Sequence, residues 1–136
     1  MDTNVLVSGL LSAFGTSGQI VRMASSGVLE ICHDARVLTE YREVLYRPEF
    51  QFNTTHVDAL LDQIEVYGHG VATKPLEKKL PDPSDEPFLE VALAAGAECL
   101  VTWNIRDFPA HSRGGMKVVK PPEFLQGYWE IRGHTP

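Results

Sequence analysis

The sequence predicts a small α/β sandwich with a mostly parallel sheet. Helix-period apolar stripes alternate along the chain with short apolar runs of strand length. Residues 82–108, DPSDEPFLEVALAAGAECLVTWNIRDF, read as a capped helix, a tight turn, a buried strand, and acids just past the strand's end. A length of 136 residues with 43% hydrophobic and 22% charged content suits a single domain over residues 1–136, with little room for a second.

At the start, Asp2, Thr3 and Asn4 are capping types, and residues 5–11 are expected to be helical despite the β character of Val5, Leu6 and Val7. Residues 15–18 read as a flexible turn, and Ile20, Val21 and Ala24 mark a short amphipathic helix ended by Gly27. Residues 28–32 follow as a strand. Asp34 is a natural N-cap for a helix over 35–46, which Pro48 stops. Its buried stripe is Val37, Tyr41 and Val44, and Glu40 falls within it. An inward carboxylate is costly unless it meets a cation, which makes Glu40 an anomaly.

Thr54 and Thr55 can cap a helix over 56–67, residues 68–70 break it, and 71–73 read as a short strand. After a polar connection over 74–81, Ser84 and Asp85 open a helix whose stripe is Phe88, Leu89, Ala92 and Ala95, and Gly96 stops it. Asp85 heads that stripe, so its side chain is expected to turn toward the sheet at the helix's positive end. Residues 99–102 have strand length. Asn104 and Asp107 lie just beyond their carboxyl end, where sites form in open α/β sheets. A loop over 112–115, a strand over 116–119 and a final segment over 123–131 complete the pattern.

A net charge of −6 argues against strong nonspecific nucleic-acid binding. It permits a nuclease, because clustered carboxylates loaded with divalent cations present positive charge to a phosphate. Cys32 and Cys99 lack CxxC or Cys/His spacing and are expected to be free core thiols, and the five histidines are scattered. No apolar run reaches membrane-spanning length and the first residues lack signal-peptide features, so the expectation is a soluble cytoplasmic protein with no membrane partner.

Each acid has an ordinary explanation when taken singly. Asp82 and Asp85 can cap a helix, Asp107 a turn, Glu40 can pair with Arg36 or a distant base, and Asp2 can be solvated. Together they suggest more. Carboxylates brought close repel and raise one another's pKa unless a divalent cation holds them ionised. Oxygen ligands without His or Cys favour magnesium or manganese over zinc, and such a site suits in-line phosphodiester hydrolysis.

The segments DTNVLVSGLL, LTEYREVLYRPEF and DPSDEPFLEVALAAGAECLVTWNIRDF resemble, in order and spacing, the PIN-domain family, and within it toxins of the VapC type. The resemblance implies a PIN-like three-layer sandwich, a central mostly parallel sheet with helices on both sides, and a Mg2+- or Mn2+-dependent ribonuclease site at one edge. By position it assigns catalytic and metal-ligand roles to Asp2, Glu40, Asp85 and Asp107, with Asn4, Thr102 and Asn104 in support. Many relatives have Asp where Asn104 stands, which leaves Asp107 as the fourth carboxylate. Relatives also carry several apolar residues before the first aspartate, so the first central strand is expected to be missing or truncated before Asp2. The implied partners are an RNA substrate, an antitoxin protein and a second copy in a homodimer. The alternative is a catalytically weakened PIN-like binding or scaffold protein.

Overall fold

The computed structural model describes residues 1–132; the last four residues of the expected domain, including His134, lie outside the described residues. The elements run α1 (Thr3–Leu11), α2 (Thr16–Ser25), β1 (Cys32–His33), α3 (Ala35–Leu45), α4 (Thr54–Tyr67), β2 (His69–Gly70), α5 (Glu86–Ala95), β3 (Leu100–Val101), β4 (Val118–Val119) and α6 (Pro121–Ile131). The fold is α/β and rich in helix. No single described helix is long and apolar enough to cross a membrane.

Both ladders are parallel, as expected, but the single central sheet is instead two two-stranded pieces, β1 with β2 and β3 with β4. Strands predicted over 28–32, 71–73, 99–102 and 116–119 shrink to two residues each, because few of those backbone groups find a neighbour to pair with. The β1–β2 register is set by His69 N–H donating to the Ile31 carbonyl and Val71 N–H donating to that of His33, which moves β2 upstream of the predicted 71–73.

Alternation along β3 and β4 explains why their sequence is continuously apolar. Leu100 and Val118 enter a core shared with α1, α3, α4 and α5, whereas Val101 and Val119 enter a second core with Val5, Ile20 and Leu125. Helices therefore cover both faces of this ladder.

The helix caps follow the sequence closely. Asp34 accepts from Val37 N–H, Asn53 rather than a threonine caps α4, and Gly96 ends α5 in the left-handed conformation at φ +62°. The expected flexible turn over 15–18 is a correction, since α2 begins at Thr16. A Cβ on Gly18 would lie 2.2 Å from the Ala13 carbonyl oxygen, so glycine there permits close backbone approach rather than flexibility.

Candidate active site

Asp2 occupies the N-cap position of α1 but makes no capping bond with its side chain. Its backbone N–H donates to the Val101 carbonyl at 2.9 Å, which ties the head of α1 to β3. The carboxylate is buried and turned to Thr102 instead, whose hydroxyl donates to Asp2 Oδ2 at 2.7 Å. Asn4 Nδ2 donates to the same oxygen at 3.3 Å, and Asn4 Oδ1 accepts from Trp103 N–H. Thr102 is fully buried and its hydroxyl also accepts from Asn104 N–H at 3.0 Å. Asp2, Asn4, Thr102 and the backbone of Asn104 thus form one network joining the start of the chain to the loop after β3.

Glu40 lies on the inward face of α3, half-buried, and accepts a short hydrogen bond from the Thr3 hydroxyl. Burial pushes its pKa up, the Thr3 bond opposes this, and the charge of Asp2 adds to the rise. The ordinary explanation of Glu40, a pairing with Arg36, does not hold. Arg36 bridges Asp34 and Glu90, each at 2.8 Å. Glu90 is a buried acid that the sequence reading missed, and it also accepts from Leu76 N–H.

Asp82 and Asp85 separate in role. Asp82 is the capping acid, accepting from Ser84 N–H and hydroxyl, which hold its pKa down. Asp85 makes no capping bond with its side chain. Its pKa is pushed up to about 7 by burial and then by the charges of Asp2, Asp107, Asp82 and Glu40. Four sequence-predicted carboxylates are therefore near enough to act on one another, although they come from α1, α3, the head of α5 and the turn after β3. Asp107 is the acid that this turn contributes, while the Asn104 side chain is exposed.

Among the described residues, none of these four acids forms an ion pair with Lys, Arg or His. As donors, uncompensated oxygens without His or Cys fit magnesium or manganese. Their spacing is looser, because no three His, Cys, Asp or Glu side chains among the described residues are gathered closely enough to hold a metal ion as they stand. The bonds from Thr102 and Thr3 fix two of the carboxylates where they are.

Arg113 donates through Nε to the Phe108 carbonyl at 2.6 Å, whereas Arg106 and Lys117 are exposed. Trp103 Nε1 donates to the buried Ser17 hydroxyl at 2.8 Å and so anchors the loop after β3 to α2, a link between residues too far apart in sequence for periodicity to reveal. Beside Thr3 and Asn4 runs a shallow groove of about 440 Å³, bordered by Val7, Leu11 and Val44.

No curated protein and no solved structure matches the chain, whereas the family model for the PIN domain matches residues 1–106. PIN domains are generally nucleases, they generally bind RNA, and they usually use divalent metals. The matched span takes in Asp2, Glu40 and Asp85, stops one residue short of Asp107 and covers well over half the chain, so the protein belongs to the PIN-domain family.

Proposed function

We infer that the protein is a metal-dependent endoribonuclease, the toxin component of a toxin–antitoxin pair. The observation that carries this reading is the Asp85 carboxyl, raised to about 7 by burial and by Asp2, Asp107, Asp82 and Glu40 with no cation paired to it. Mutual repulsion of this kind is relieved by a divalent cation.

Asp2, Glu40, Asp85 and Asp107 would hold magnesium or manganese, which when bound neutralises phosphate charge and lowers the pKa of water for in-line attack. The chain's own residues do the positioning. Thr102 and Asn4 fix the orientation of Asp2, and Thr3 fixes that of Glu40. Asp85, at the positive end of α5, would orient the attacking water beside the ion. RNA cleavage with Mg2+ or Mn2+ is the test, and it is expected to vanish on chelation and in Asp85→Asn. Cleavage that survives both would overturn the reading.

A second reading is a PIN-like scaffold with a weakened site, favoured by the loose spacing of the acids and by the exposed amide of Asn104. Calorimetric titration with Mn2+ separates the two, since only the nuclease requires binding that depends on Asp85.

A further inference from the structure

The chain leaves α3 through a turn that carries a cation and two aromatic rings. Arg47 N–H donates to the Val44 carbonyl at 3.2 Å and the Arg47 carbonyl accepts from Phe50 N–H at 3.1 Å, which fixes both residues to the end of the helix. Gln51 follows at φ +51°, the one non-glycine residue among those described that takes a positive φ. A residue with a side chain seldom adopts that backbone, and it persists where the surroundings demand it. Here the chain turns back so that Phe50 and Phe52 stack, with centroids 5.2 Å apart and planes within 11°. Phe52 packs against the main core, and Phe50 lies half-buried upon it.

We propose that Arg47 and Phe50 form a nucleotide subsite in which Arg47 takes a backbone phosphate and Phe50 stacks an unpaired base, so that RNA lies as a single strand along the groove between α1 and α3. The proposal rests on the nuclease reading and adds the form of the substrate and two residues that position it.

Helix geometry gives the path. Glu40, Val44 and Arg47 are four and three residues apart and so share a face of α3. Val44 borders the groove that begins at Thr3 and Asn4, beside the acids. Arg47 lies about 10 Å beyond Glu40 along the axis. A stacked strand advances about 3.4 Å per nucleotide, which places the Arg47 phosphate on the order of three nucleotides from the one at the acids.

Charge favours a phosphate at this end. Arg36 is held by Asp34 and Glu90, whereas Arg47 is exposed and forms no ion pair among the described residues. Burial raises the pKa of Glu40, and the charge of Arg47 opposes that rise, so the cation stands close to the acids without being bound by them. An arginine beside an open aromatic face suits single-stranded nucleic acid, because every base has a face to stack. A duplex keeps its bases on one another and offers Phe50 none.

The test measures binding of a labelled 16-nucleotide single-stranded RNA, with Mn2+ present, to the full chain carrying Asp85→Asn so that the strand stays intact. Phe50→Leu is expected to weaken binding on the order of tenfold. Arg47→Gln is expected to lower the slope of log affinity against log salt by about 0.7, and Arg42→Gln, on the opposite side of α3, to leave it unchanged. Phe50→Trp keeps a large ring should Phe50→Leu fail to fold, and its emission is expected to fall on binding beyond any change from Trp103 and Trp129. The same strand annealed into a duplex is expected to bind at least about tenfold more weakly. Equal binding of strand and duplex, or strand binding unmoved by both Arg47→Gln and Phe50→Leu, would overturn the proposal and leave the turn to the fold or to a protein partner. These effects in a native chain that never cuts RNA would end the nuclease reading and leave the subsite standing.

Discussion

Thr102 Oγ1 and Asp2 Oδ2 lie 2.7 Å apart, a hydrogen bond that spans 100 residues of sequence in a buried setting. It joins the head of α1 to the end of β3, and the same hydroxyl accepts from Asn104 N–H. Thr102→Val keeps the shape and removes all of this. The expected cost is about 1–3 kcal/mol in urea unfolding, the penalty for leaving buried polar groups unpaired, with Thr102→Ser retaining most of the stability.

Asp85 makes stability depend on pH in a direction opposite to that of a paired carboxylate. Its folded pKa of about 7 exceeds the ordinary 3.8, so the folded state holds the proton more tightly. Its contribution is fully present below the unfolded value and is lost as pH rises through the folded one. Asp85→Asn is therefore expected to raise the melting temperature over the native protein little at about pH 4 and most above about pH 7. Melts recorded across that range check it; a gain independent of pH would contradict it.

Metal should act on the same group. If Mn2+ binds the folded protein, its melting temperature rises with concentration, by the equivalent of about 2.7 kcal/mol at a hundredfold excess over the dissociation constant. The rise is expected to be smaller in Asp85→Asn and to reverse on chelation. Equal rises in both proteins would move the metal away from Asp85.

Glu90 provides the contrast of an acid buried for structure. It accepts from Arg36 and from Leu76 N–H, fastening the segment before α5 to α3. Glu90→Ala is expected to destabilise the fold by about 1–3 kcal/mol in urea unfolding. Metal-dependent cleavage by the folded fraction should be unchanged.

How much of this was readable in advance differs by residue. Asp85 and Glu40 announced themselves by riding apolar stripes, because helical periodicity fixes which way a side chain points. Gly96 as a stop and Asp34 as a cap are local effects and were legible for that reason. Glu90 was not, since its partner Arg36 lies 54 residues away and no local pattern marks the pair. Thr3 looked like a capping residue, and only tertiary packing turns its hydroxyl to Glu40. The split of the sheet was equally hidden, because apolar runs report burial and not which backbone groups find partners.

Helix α5 packs against both β1 and β3, which makes it the spine of a book whose covers are the two ladders. Glu40 follows the β1 cover, Asp2 and Asp107 belong to the β3 cover, and Asp85 stands at the head of the spine. The acids straddle the opening, so the angle at which the book lies open sets the distances among them.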